Sequence, residues 1–141
     1  MAKTMTIGLC SGGIDKLTAA GIIMGGAIAD DIEIEVFVLL NAARSFKKEF
    51  SENPKKLLQL TENDQHRVEF IESLDNLKID CCIDAFRKAK EIGNVKIHLC
   101  GTAGKIWGGV KLDDFSDIVD DICGINQYIT SIEESDIQLF I

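Results

Sequence analysis

No Cys-x-x-Cys occurs in this 141-residue chain, which removes the simplest case for a disulfide oxidoreductase. The five cysteines that are present are odd in number and fit no small secreted disulfide framework. Positive charge is short as well. Fifteen Lys and Arg stand against 23 Asp and Glu, for a formal charge of −8. A basic surface that releases counterions is missing, so nucleic acid is not an expected partner. Long apolar runs are missing too. The longest small-apolar stretch, Thr18 to Ala29, holds three glycines and stops at Asp30-Asp31. It falls short of the roughly 20 residues a bilayer requires, so no membrane span is expected. Residues 1–5 lead straight into a strand pattern, without the apolar core and cleavage site of a secretory signal. These absences predict a cytoplasmic protein with reduced thiols. Ser11-Gly12-Gly13 resembles a phosphate-cradling turn, but it is neither a Walker loop nor a full dinucleotide fingerprint. The acidic run Asp113-Asp114, Asp117, Asp120-Asp121 lacks the alternation and glycine of a calcium loop and reads as a solvated face. No metal and no cofactor is expected.

What is present is an ordinary globular composition, 46% hydrophobic and 27% charged, in a length that suits one domain over residues 1–141. Strand-like and helix-like patterns alternate along it. Met5 to Cys10 is a short apolar run suited to a buried strand. Ser11-Gly12-Gly13 breaks it, and Asp15 is placed to cap a helix over Lys16 to Ala29, with Leu17, Ala20, Gly21, Met24, Ala27 and Ile28 on one stripe. Ile32 to Leu40 ends in the continuous apolar run of a strand covered on both faces. Asn41 to Phe50 predicts a helix, and Pro54 restarts the chain with Leu57, Leu58 and Leu60 facing inward. Thr61 to Asn76 is polar and poorly patterned, hence a loop. Asp80 to Ile92 is amphipathic and stops at Gly93. A strand over Val95 to Cys100 follows. Asp113 to Cys123 predicts a short helix and a weak strand around Ile118-Val119. Ile125 to Glu134 predicts a helix and Ile137 to Ile141 a closing strand.

Strands separated by helices imply parallel pairing with right-handed crossovers. The expected architecture is α/β, a three-layer α/β/α sandwich with a mostly parallel, flavodoxin-like sheet of five strands. In flavodoxin-like order the first strand lies beside both the second and the third. Cys10 and Cys100 would then share one crevice at the carboxyl edge of the sheet.

Cys100 is the focus of the chemistry. It ends a strand, where open α/β sheets gather their reactive groups. The residues after it, Gly101-Thr102-Ala103-Gly104-Lys105, offer backbone amides and a cation, and both favour thiolate over thiol. His98 shares the strand face with Cys100 and is placed to act as a proton partner or to bind an anionic donor.

The segments Ile7-Gly8-Leu9-Cys10-Ser11-Gly12-Gly13-Ile14-Asp15-Lys16-Leu17 and Glu35-Val36-Phe37-Val38 resemble the opening of DsrE/DsrF-like proteins. Phe86 to Cys100 is similar to that family's segment ending in its sulfur-accepting cysteine. The resemblance covers the element order of essentially the whole chain. It implies a flavodoxin-like subunit that forms homo-oligomers and carries sulfane sulfur as a persulfide or a thiosulfonate. It implies sulfur-donor and acceptor proteins, or small sulfur compounds, as partners. Cys100 alone inherits the acceptor role. The chain departs from the family in the glycine-rich stretch Gly101 to Gly109 and in the cysteine at position 10.

The other cysteines have plainer readings. Cys123 reads as a small core hydrophobe. Cys81-Cys82 is too closely spaced for a zinc clamp, and adjacent side chains are expected to diverge, one buried and one exposed. Cys10 is divided between core packing and a partner thiol. His66 reads as solvated, and Trp107 as core.

Three functions follow. The first is a sulfurtransferase-like carrier, with Cys100 as acceptor, Cys10 as second thiol, and Ser11, Gly12, Gly101, Thr102, Lys105 and His98 around the substrate. The second is a small-ligand or nucleotide-binding module using the loops Ser11–Asp15 and Gly101–Gly109. The third is an assembly subunit whose glycine-lined helices and Trp107 serve an interface.

Overall fold

The computed structural model describes residues 2–53, 56 and 66–141. Its strands are β1 (Thr4–Leu9), β2 (Glu33–Val38), β3 (Val95–Cys100), β4 (Asp121–Cys123) and β5 (Ile137–Phe140). They form one sheet in the order β4-β3-β2-β1-β5, with every pairing parallel. The helices are α1 (Ile14–Ala29), α2 (Leu40–Ser45), α3 (Lys48–Ser51), α4 (Arg67–Leu77), α5 (Ile83–Ile92), α6 (Gly101–Ile106) and α7 (Ile125–Glu134), with a 3-10 turn at Leu112–Asp114. This is the expected three-layer α/β/α sandwich with a five-stranded parallel sheet, in a strand order that differs from flavodoxin's.

The handedness of the crossovers builds its layers. From β1 to β4 each strand is added on the same side of its predecessor. Right-handed connections therefore put all the intervening helices on one face. The step from β4 to β5 runs back across the sheet, so α7 crosses the opposite face alone. The pleat agrees. Ile7, Leu9, Ile34, Val36, Ile97 and Leu99 alternate onto the many-helix face and are buried. Thr6, Glu35, Phe37, His98 and Cys100 fall on the α7 face.

The core lies between the sheet and the helices α1, α2, α5 and α6. Phe46 and Phe86 meet there edge to face, with ring centroids 5.5 Å apart, and both are fully buried. Each such side chain removed from water contributes roughly 1.5–3 kcal/mol. Gly21 lets α1 approach α5, since a Cβ there would stand 2.7 Å from the Ala85 methyl.

Several expectations are corrected. β1 lies beside β2 and β5, not beside β3. α1 begins two residues before Lys16, with Gly13 at its N-cap, and Asp15 sits in its first turn without capping it. The helix expected over Asn41 to Phe50 is broken into α2 and α3, because Lys47 turns extended and bridges to Phe115. Residues 67–77 are helical, not loop. Their pattern is weak because α4 buries only Leu74 and leaves Val68 and Leu77 in solvent. α5 starts at Ile83, since Cys82 at φ 57° is not helical. The weak strand falls at Asp121–Cys123, three residues after Ile118-Val119. Pro54, Leu57, Leu58, Leu60 and the first residues of the expected 61–76 loop lie outside the described residues. No helix among the described residues is long and apolar enough to cross a membrane.

Candidate functional site

Cys100 is the last residue of β3 and the N-cap of α6, at φ −64° and ψ 123°. It is 8% exposed. Its register partner on β4 is Cys123, about 4.8 Å away in the hydrogen-bonding direction. Burial, then the Asp121 charge, then the charge of Cys100 push the Cys123 thiol up from 9.0 to about 11. A neutral thiol thus stands beside Cys100.

Cys10 does not join this pair. It follows β1, and β2 lies between β1 and β3, which separates the two strand ends by about 10 Å. Its amide donates to the Ile141 carbonyl at 2.7 Å, and its carbonyl accepts from the Ala42 amide. The sharing of one crevice by Cys10 and Cys100 is therefore corrected. The sulfur beside Cys100 belongs to Cys123, which is buried in the core as expected.

His98 is buried, and both its ring nitrogens are engaged. Nδ1 lies 2.7 Å from Asp121 Oδ1 and Nε2 lies 3.1 Å from Glu35 Oε1. The chain of contacts continues: Ser131 Oγ donates to Glu35 Oε2 at 2.8 Å and lies 2.7 Å from Thr6 Oγ1. Phe37 stacks on the imidazole at 4.7 Å and on Tyr128 at 5.4 Å. Burial pushes the Tyr128 phenol up. His98 thus shares the strand face with Cys100 but directs its nitrogens at carboxylates. A role as proton partner to Cys100 does not follow. A cleft of about 300 Å³ opens beside this network, lined by Thr6, Glu35, Lys96 and Ser131 among others.

The loop residues divide. Gly101 opens α6, and a Cβ there would stand at ordinary contact distance, 3.5 Å, from Ile122. Thr102 is exposed. Lys105 sits exposed in the last turn of α6, about 7.5 Å of helix rise from Cys100. The glycines serve packing: a Cβ on Gly104 or Gly109 would press into the Phe115 ring. Trp107 is half-buried, donates from Nε1 to the Leu40 carbonyl at 2.9 Å, and carries the Arg44 guanidinium over its ring.

The Ser11 loop is closed by its neighbours. The Ser11 amide donates to the Ile141 carbonyl at 3.1 Å. Gly12 is buried, its carbonyl accepts from Ser45 Oγ, and a Cβ there would meet the Asn41 carbonyl at 2.6 Å. The ends of β1 and β3 that carry the two loops are separated by β2. A ligand bridging both loops would have to span it. No family model and no curated protein matches the chain.

The acidic run is more than a solvated face. Asp114 accepts from the Lys111 and Val110 amides, and these bonds hold its carboxyl below the usual range. Asp117 pairs with Arg87 at 2.8 Å, which lowers it too. Asp120 pairs with Lys90 and accepts from the Ile97 amide. Asp121 holds His98. The strand expected around Ile118-Val119 falls three residues later, and that register is what sets Asp121 beside His98 and Cys123 beside Cys100.

Proposed function

We propose that this chain is a sulfur carrier of the DsrE/DsrF-like kind, with Cys100 as the acceptor. The observation that carries the reading is the position of Cys100. It is a shielded thiol at the carboxyl edge of an all-parallel sheet, at a strand-to-helix junction, with a second thiol in register. Shelter from water is what a terminal sulfur needs, because persulfides are lost by exchange with any thiol that reaches them. The Cys100 thiolate attacks the outer sulfur of a donor persulfide. The donor S–S bond breaks, the donor leaves as thiolate, and Cys100 holds the outer sulfur as Cys100–S–S⁻. With tetrathionate the same attack expels thiosulfate and leaves a thiosulfonate. Delivery is the reverse step, onto an acceptor thiolate.

The reading includes a homo-oligomer. Ile22 and Ile23 on α1, and Ile125 and Ile129 on α7 with Phe140 on β5, are exposed apolar side chains that such an assembly would cover.

Intact mass spectrometry after incubation with polysulfide or tetrathionate tests the acceptor. The tryptic fragment 97–105 contains Cys100 and no other cysteine, so the adduct can be placed. The expected result is a DTT-removable adduct on this fragment that disappears in Cys100→Ser. An unmodified fragment under both donors would sink the reading.

A further inference from the structure

A second pair of thiols stands apart from Cys100. Cys81 and Cys82 lie ahead of α5, against α1, and their sulfurs approach to 2.7 Å. Side chains of adjacent residues ordinarily diverge, and these were expected to. They converge because Cys82 adopts φ 57° and ψ −130°, the second position of a type II′ turn, which glycine dominates. The Asp84 amide closes that turn onto the Cys81 carbonyl at 3.2 Å. Cys82 is 2% exposed, whereas Cys81 is half-buried and meets solvent.

We propose that Cys81 and Cys82 form a vicinal dithiol that exchanges with low-molecular-weight disulfides and closes to a ring disulfide. This site is independent of the carrier reading and uses none of its residues.

The surroundings assign the order of attack. The Cys82 thiol donates to the Cys81 sulfur, which lowers Cys81 and, together with burial, raises Cys82. The Thr18 hydroxyl is the other polar neighbour lowering Cys81. It donates to the Ile14 carbonyl at 2.8 Å, and its single proton can turn to a sulfur anion. Partial burial of Cys81, and more weakly the charges of Asp84 and Asp75, oppose the thiolate without outweighing the bond from Cys82. Cys81 is thus the exposed nucleophile and Cys82 the buried resolving thiol. The Cys81 thiolate attacks one sulfur of a disulfide RSSR, whose S–S bond breaks and releases RS⁻. The sulfur of Cys82 then attacks Cys81 Sγ and expels the second RS⁻. Protons from the medium and from Cys82 convert both leaving groups to RSH. Two electrons pass from the protein to RSSR, and one S–S bond is exchanged for another.

The test uses the whole chain, oxidised and reduced glutathione in defined ratios, acid quenching, alkylation of remaining thiols and digestion. The tryptic fragment 79–87 contains Cys81, Cys82 and no other cysteine. The expected product is this fragment lighter by two hydrogens, carrying no glutathione, and restored by DTT. Cys82→Ser should arrest the reaction as a glutathione adduct on Cys81, and Cys81→Ser should show neither product. Ring closure should persist in Cys100→Ser, which separates this site from the fate of the carrier reading. Two free thiols at every ratio, or a stable glutathione on Cys81 in the unsubstituted chain, would overturn the proposal. Both results come from unsubstituted protein, so they do not depend on a variant folding.

Discussion

At the residue scale, the clearest case of a side chain held by its surroundings is His98. Its Nδ1 faces Asp121 and its Nε2 faces Glu35, so the ring fills the space between two acidic side chains. Removing the imidazole leaves two carboxylates facing each other across the vacated space. We expect His98→Ala to cost about 1–2 kcal/mol, the lower part of the range for buried polar partners, because both carboxylates keep contact with water. Urea unfolding measures it, and a cost near zero would show the network to be idle. Cys123 makes a different prediction. Its folded thiol is raised to about 11, by burial first and then by Asp121 and Cys100. A raised value means that the folded state favours the neutral form. The contribution to stability is therefore complete below about pH 9 and lost as pH climbs through 11. Thermal melting across that window should fall more steeply in the unsubstituted chain than in Cys123→Ala. Parallel slopes would contradict this. Cys82 is the third residue to carry a cost, since a non-glycine held at φ 57° stores about 1–3 kcal/mol.

At the scale of elements, legibility follows amphipathicity. α1 and α5 were readable because each presents one apolar stripe to the sheet. α7 was readable because its apolar residues share one side, although it buries only Ser131 and leaves Ile125 and Ile129 exposed. α4 was not: Leu74 is its one buried residue, Phe70 and Ile71 pack only partly on the core, and the exposed Val68 and Leu77 blur the stripe. β4 was misplaced because Ile118 and Val119 are more apolar than Asp121-Ile122-Cys123. Their burial comes from the loop that leads into the strand, and periodicity cannot separate the two. The misplacement propagated to the site: Cys100 was legible from its strand end, but Cys123 and Asp121 needed the register. Helix ends offer a further check. Lys78 follows α4 in the left-handed region, at φ 56° and ψ 40°, where glycine is at ease. Lys78→Gly should stabilise the chain by about 0.5–1 kcal/mol, read as a higher melting temperature. In contrast, Gly109→Ala presses a methyl into the Phe115 ring and should cost about 1–3 kcal/mol. Equal melting temperatures for Gly109→Ala and the unsubstituted chain would mean that the ring moves aside freely.

At the scale of the whole molecule, the two faces of the sheet are unequal. The helices between β1 and β4 cover one face and α7 covers the other, so protection from solvent should be graded accordingly. In native-state hydrogen exchange, amides of β1, β2 and β3 should exchange slowest, and those of β4, β5 and α7 fastest. Uniform protection would show that α7 is locked by contacts beyond those described. The order of the strands has a further consequence, for the sequence of events in folding. β1 has two neighbours, and one of them, β5, is the last strand of the sheet. The Thr4 amide, for instance, donates to an Asp136 carboxylate oxygen 132 residues further along. During synthesis the first strand can pair with β2 early, yet its other edge stays open until residues 137–140 have left the ribosome. The loop closed at that moment is nearly the length of the sheet's whole sequence, so the entropy of closing it falls on the final step. A nascent chain of this protein therefore carries an unpaired β edge for most of its translation, a template to which other chains can add.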